Sequence, residues 1–296
     1  MSLKLTLLGT GTPTPLAHRA GSGYLVTFDD EVLLFDCGPG IARRLLEAGV
    51  PPEALTRLFL THLHYDHSVD YACIVLTRWD QGAGEVPDLH VYGPAPVKRM
   101  TERLLGSDGA FGPDLEARTR HPGSEFVYER RGGILPRKRP EPIVTEVADG
   151  SSIQTGNWRV ETAEVVHVQP QLTCLAYRLD TPYGTIVFGG DTAPTGSLTD
   201  LAQGADVLIH MCHLINDVEL DPRITGCCSG HLDAARTARD ADVGTLVLTH
   251  VTEQLEPPGI PERLVAEAAH IFNGRIVFAE DLTDVPVGPI DPEPIR

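Results

Sequence analysis

An α/β fold of two packed sheets with helices outside is predicted by three features of the 296-residue sequence. Short apolar runs closed by Gly- and Pro-rich turn clusters recur in both halves. Helix-period stretches are interspersed between them. Neither an internal repeat nor a clean linker interrupts the pattern, so residues 1–296 read as one domain.

The elements follow in order. Residues 5–8 form a strand stopped by Gly9-Thr10-Gly11-Thr12-Pro13. Residues 23–28 and 32–35 are strands joined by a hairpin loop at Asp29-Asp30-Glu31, and Asp36-Cys37-Gly38-Pro39-Gly40 ends the second. Ile41, Leu45 and Ala48 mark one face of a helix closed by Gly49. Residues 55–60 are a buried strand.

Residues 104–145 differ: rich in Gly, Pro and Arg, with poor periodicity, they are expected to be an irregular insertion. Arg118, Arg120, Arg130, Arg131, Arg137, Lys138 and Arg139 make this the one locally basic stretch. It reads as a surface loop or as a flap over a substrate. Strands then resume at 158–163, 175–179, 185–188 and 207–210, followed by a helix at 233–241 and a buried strand at 245–248.

Composition limits the function classes. Hydrophobic residues at 42% and charged residues at 22% are ordinary for a soluble globular chain. No apolar run approaches the ~20 residues of a membrane span. Met1-Ser2-Leu3-Lys4 runs straight into the first strand, so no signal peptide is expected. The cysteines 37, 73, 174, 212, 227 and 228 are scattered, and the adjacent pair is badly placed for a mutual bridge, so a reduced, cytoplasmic setting is expected. A net charge of −17 repels polyphosphate and argues against non-specific nucleic-acid binding; no membrane partner is expected either.

The chemistry concentrates in Thr61-His62-Leu63-His64-Tyr65-Asp66-His67, directly after a buried strand. If that strand continued, residues 62, 64 and 66 would share a face, and a turn would bring His67 to a second position. Imidazole and carboxylate are the donors a borderline divalent ion such as zinc prefers.

This pattern resembles the signature of the metallo-β-lactamase superfamily, and further segments match in order. Leu8 to Pro13 looks like the opening strand and loop, and Asp36 like the aspartate that supports a ligand from behind. Val166-His167, Phe188-Gly189-Gly190-Asp191-Thr192 and Leu248-Thr249-His250 look like the later ligand segments. The resemblance implies an αββα sandwich and a dinuclear site, zinc before manganese or iron. One ion would take His62, His64 and His167, and the other Asp66, His67 and His250, with Asp191 bridging. Asp66 would count among the catalytic residues as well.

Within the superfamily the chain resembles the ribonuclease Z and arylsulfatase-like branch. There a histidine near Ser229-Gly230-His231-Leu232-Asp233 protonates the leaving group, which makes His231 the candidate general acid. The ribonuclease Z motif His-Glu-Ala-Thr is replaced by His210-Met211-Cys212-His213, and methionine cannot charge-balance an imidazole. His210 and His213 are therefore structural, or His213 lines the pocket. The expected function is metal-dependent hydrolysis of a small ester-like substrate: a sulfate ester, a phosphodiester or a lactone. The alternatives are tRNA 3′ processing and a metal-binding protein without catalysis. Relatives frequently dimerise, so a homodimer is allowed.

Overall fold

The computed structural model describes residues 3–83, 86–216 and 220–288. Met1, Ser2 and residues 289–296, which the one-domain reading includes, lie outside them. In chain order the first half holds β1 (Lys4–Gly9), β2 (Gly23–Phe28), β3 (Glu31–Phe35), α1 (Ile41–Glu47), β4 (Arg57–Phe59), α2 (Tyr65–Ser68) and α3 (Tyr71–Gln81). Next come β5 (His90–Gly93), α4 (Val97–Leu105), α5 (Gly112–Arg120), α6 (Pro122–Arg130) and β6 (Ile143–Glu146). The second half holds β7 (Ser152–Thr155), β8 (Trp158–Glu164), β9 (Leu175–Thr181), β10 (Gly184–Phe188), α7 (Gly196–Leu201) and β11 (Val207–Met211). It ends with α8 (Pro222–Thr225), α9 (His231–Asp240), β12 (Thr245–Thr249), α10 (Ile260–Ala269), β13 (Arg275–Phe278) and β14 (Thr283–Val285).

Two seven-stranded sheets result, ordered β14-β1-β2-β3-β4-β5-β6 and β13-β12-β11-β10-β9-β8-β7. Each is antiparallel on one side and parallel on the other, β3 to β6 and β10 to β13 being the parallel runs. The sequence explains the difference. All five residues of β11 and of β12 are buried, as a parallel strand covered on both faces requires. In β8 burial alternates from Trp158 onward, as in a strand with one solvated face.

The inner faces meet in a core that includes Phe35, Phe59, Tyr177 and Phe188. Phe35 stacks on Phe188 at 3.7 Å between centroids and on Phe59 at 4.7 Å. These rings end β3, β4 and β10, the strands whose next residues enter the site, so this stack of rings underlies it. Outside, the first sheet is covered by apolar side chains of α1 and α3, and the second by those of α7, α9 and α10. The two packed mixed sheets with outer helices are the fold the sequence predicts.

Residues 104–145 are only partly irregular: α5 and α6 lie inside the stretch, while residues 131–142 carry neither helix nor strand. Pro113 and Pro122 stand at the first turns of these helices, where a missing N–H costs nothing. In the sequence they read as loop residues. Three of its basic side chains fold back on α3. Arg118, Arg131 and Arg137 reach Asp80 at 2.8, 3.3 and 3.0 Å. Arg137 also lies 3.9 Å over the Trp79 ring and 4.7 Å over that of Tyr128. A cavity of about 510 Å³ between α3 and residues 132–142 is lined by none of the clustered histidines.

Burial raises the Asp80 carboxyl, but Arg137 and Arg118 outweigh it and hold the pKa below the ordinary value. A depressed folded pKa contributes stability above the unfolded value of about 4, lost as pH falls through the folded one. Asp80→Asn is therefore expected to cost roughly 1 kcal/mol at pH 7, discounted for partial exposure, and almost nothing at pH 2. Urea unfolding of both proteins at the two pH values measures this; an equal cost at both would rule out the charge pairing.

Candidate metal centre

The site sits at the carboxyl ends of the strands, where parallel sheets place ligands. Beyond β4 the chain does not continue as a strand. His62 lies in the loop, His64 is the extended residue before α2, and Asp66 and His67 lie on that short helix. Contrary to the strand-face expectation for residue 66, a helical turn and not strand alternation presents Asp66 and His67. Two close backbone approaches hold it there. The Asp66 carbonyl accepts from Ser22 N–H and the His67 carbonyl from Cys37 N–H. A Cβ at Gly38 would lie 1.9 Å from the Asp66 oxygen, so only glycine fits.

Two groups of donors converge. His62, His64, His167 and Asp191 form one, and Asp66, His67, Asp191 and His250 the other, each within 4.8 Å. All seven residues singled out in the sequence are brought together, and Asp191 belongs to both groups.

The geometry suits small divalent ions. With bonds of 2.0–2.2 Å, donors around a tetrahedral ion stand about 3.4 Å apart. His67 Nε2 lies 3.3 Å from Asp191 Oδ1 and 3.5 Å from Asp66 Oδ2. His250 Nε2 lies 3.2 Å from Asp191 Oδ2 and 3.3 Å from Asp66 Oδ2. In the other group, His62 Nε2 and His64 Nδ1 are 2.9 Å apart, and His167 Nε2 is 3.7 Å from Asp191 Oδ2.

Hydrogen bonds fix which nitrogen is free in three of the rings, His62, His67 and His167. Fully buried Asp36 accepts from Thr61 N–H at Oδ1, and from Thr61 Oγ1 and His67 Nδ1 at Oδ2, each at 2.8 Å. His67 therefore carries a proton on Nδ1 and turns Nε2 to the cluster. Thr61 Oγ1 spends its proton on Asp36, so it accepts from His62 Nδ1 at 3.1 Å and leaves His62 Nε2 free. One carboxylate thus orients a histidine in each group. His167 donates from Nδ1 to the Cys227 carbonyl at 2.7 Å. Asp36 and His250 are held at φ +59, a strained setting for non-glycine residues that recurs at functional sites.

Charge within the cluster follows burial and neighbours. Desolvation, then the charge of His67, pushes His62 well below the ordinary range, and desolvation lowers His64 too. For Asp191, burial would raise the carboxyl, but His250 and His67 hold it well below its usual range. Asp191 is thus held ionised and His62 and His64 neutral, the forms in which they bind metal. At His67 desolvation is outweighed by the charges of Asp191 and Asp36, which raise the imidazole well above its ordinary range, so an ion there takes the place of the Nε2 proton.

His213 was left open in the sequence; its Nδ1 lies 3.1 Å from His250 Nδ1. Burial, then His250, lowers it to about 4, so it is a neutral acceptor at pH 7. If His250 gives Nε2 to an ion, its Nδ1–H donates to His213. The contact follows from the strand pairing: β11 runs parallel to β12 with Met211 opposite Thr249, so residues just past both strands meet. His231 is placed differently from expectation. It is fully buried at the start of α9, with Nε2 2.7 Å from Glu267 on α10, Nδ1 unpartnered, and no place in either cluster. His210 is also buried, bonded to the Met211 carbonyl.

An αββα sandwich with paired His/Asp clusters at its strand ends defines a metal-dependent hydrolase. Residues 17–250 match the Metallo-beta-lactamase superfamily, and the chain belongs to that family. It is 34% identical over 293 residues to a ribonuclease Z of Mycobacterium sp. strain KMS, covering 97% of each chain. Among solved structures it is similar to the metallo-beta-lactamase fold protein YhfI from Bacillus subtilis, with TM-score 0.73 and 23% identity over 96% of this chain and 99% of that one. It is also similar to the short form of human tRNase Z, with TM-score 0.68 and 21% identity over 97% and 100%. Among the described residues no helix is long and apolar enough to cross a membrane.

Proposed function

We propose that the protein hydrolyses a small ester-like substrate, an anionic phosphodiester or sulfate ester before a lactone, with one divalent ion in each cluster. The observation that carries this is the sharing of Asp191 by two donor groups of complete composition. Such a pair of ions supplies hydroxide near neutral pH and a clamp for the oxygen that gains charge. Zinc fits the His/carboxylate donors best, with manganese and iron next. Asp36 and Thr61 set the histidine tautomers, Asp191 ties the two groups together, and Asp66 completes the second. Six unpaired cysteines favour a reducing, cytoplasmic setting.

Two observations support a small substrate over RNA. The basic stretch directs Arg118, Arg131 and Arg137 onto Asp80, and the chain carries a net charge of −17. Met211, at the position of the ribonuclease Z glutamate, is buried against Leu214 and Cys228. The second reading, tRNA 3′ processing, is favoured by the mycobacterial relatives named ribonuclease Z. Incubation of the zinc- or manganese-loaded protein with a bis-aryl phosphodiester, an aryl sulfate, a lactone and a precursor tRNA separates the two. Turnover of the small esters with intact tRNA is expected; clean tRNA cleavage without ester turnover would reverse the order.

The histidine roles have their own tests. His213 is proposed to orient His250, so His213→Ala is expected to weaken metal binding about 10–100-fold, the usual effect of losing such a partner. Metal titration followed by calorimetry reads this, and unchanged affinity would remove His213 from the site. For His231 we propose a packing role in place of the general acid. His231→Ala is expected to cost about 1–3 kcal/mol of stability through the lost Glu267 bond and to leave kcat within roughly fivefold. A loss of roughly 10²–10⁴ in kcat at unchanged metal content would restore the acid role.

A further inference from the structure

We propose a second kind of metal site, formed by Cys227, Cys228 and His167, which takes a thiophilic cation such as Cd²⁺ and competes with the hydrolytic centre for His167. The two sulfurs and a ring nitrogen of His167 lie within 4.8 Å of one another. Cys227 is partly exposed and Cys228 is buried beside it.

The sulfur separation shows what the pair is shaped for. The two Sγ atoms are 3.7 Å apart. Two thiolates bound at about 2.3 Å to a tetrahedral zinc ion stand about 3.8 Å apart, and a larger thiophilic ion needs only a slightly wider bite, so the pair is already close to a chelate. A disulfide instead needs sulfurs at about 2.04 Å and Cα atoms at least about 4.4 Å apart. Neighbouring Cα atoms across a trans peptide are held at about 3.8 Å. Chelation therefore needs little movement, whereas oxidation would distort the peptide whose Cys227 carbonyl accepts the His167 proton.

His167 links this site to the other. With Nδ1 donating to Cys227, the ring has one lone pair, on Nε2, and Nε2 faces Asp191 at 3.7 Å. One lone pair serves one ion. A soft cation that takes this Nε2 together with the two sulfurs draws on the same nitrogen as the His62–His64 group. As it binds, each thiol releases its proton to solvent and a metal–sulfur bond forms; no electron is transferred. The consequence of competition rests on His167 being a ligand of the hydrolytic centre, whereas the existence of the thiolate site does not.

Cadmium titration of the zinc-loaded full chain tests both parts. Wild type is expected to take up one Cd²⁺ per chain with an ultraviolet thiolate-to-cadmium charge-transfer band. Cys73→Ser should keep the band, and the Cys227→Ser/Cys228→Ser double variant should lose it. The single Cys227→Ser variant, at the more exposed position, gives the same reading where the double variant does not fold. The cadmium concentration that halves each protein's own rate is expected to be about tenfold lower for wild type than for the double variant. No band in wild type, or an equal band in the serine variants, overturns the site. A band with equal inhibition of both proteins overturns the competition. The band is read without substrate, so a failure of the hydrolase reading leaves the first result intact.

Discussion

Asp191→Ala is expected to lose both metals and activity together. Its carboxylate is buried at the join of the two donor groups, with Oδ1 3.3 Å from His67 Nε2 and Oδ2 3.2 Å from His250 Nε2. Alanine leaves each group one donor short and removes the negative charge that balances the cluster. Water cannot replace a carboxylate there without loosening both ions. A fall from two metals per chain to fewer than one is expected by elemental analysis after dialysis. The fall in kcat/KM is expected to be roughly 10³-fold or more, since the water's activation and the stabilisation of the anionic oxygen both depend on the ions. His64→Ala is the control, because His64 belongs to one group only, and the Asp66–His67–His250 ion should remain. If Asp191→Ala kept both metals at wild-type affinity, the bridging role would be gone.

The strands that carry the site were readable because each is a short apolar run ended by a chemical signal. Residues 185–188 stop at Gly189-Gly190, and residues 245–248 lead to His250. The structure extends these to β10 and β12 by a residue at one end. Three features were hidden. Prolines at the first turns of α5 and α6 look the same in sequence as prolines in a loop. The edge strands β6 and β7 are four residues long and largely exposed, so they lack an apolar run. The direction in which a helix-start histidine points depends on a distant partner: Glu267 is 36 residues from His231. Sequence order could place His231 beside its helix but could not show that α10 covers it.

Asp36→Asn is expected to damage metal binding by a proton misplacement rather than by a lost charge alone. Asp36 meets three hydrogens: Thr61 N–H at Oδ1, and Thr61 Oγ1–H and His67 Nδ1–H at Oδ2. An amide offers one oxygen and two N–H donors. If the amide oxygen takes the Oδ1 place, the NH₂ faces His67 Nδ1, which must then accept. The ring proton moves to Nε2, the atom that faces the cluster. If the oxygen takes the other place, the NH₂ abuts the Thr61 N–H with no acceptor between them, at about 1–3 kcal/mol. Either arrangement penalises the metal-binding form, and Thr61 Oγ1 carries the disturbance to His62. Asparagine tolerates the φ of +59 at this position, so the backbone is expected to hold. The fold should survive, with metal affinity down about 10–100-fold and activity recovered at high metal concentration. Asp36→Ala differs, because it leaves the buried donors unpaired and puts alanine at positive φ. It is expected to cost about 3–5 kcal/mol in chemical unfolding. Nitrogen NMR of His67 in the metal-free asparagine variant identifies its tautomer. A proton still on Nδ1, with wild-type metal affinity, would show that Asp36 supports the loop without orienting the ligand.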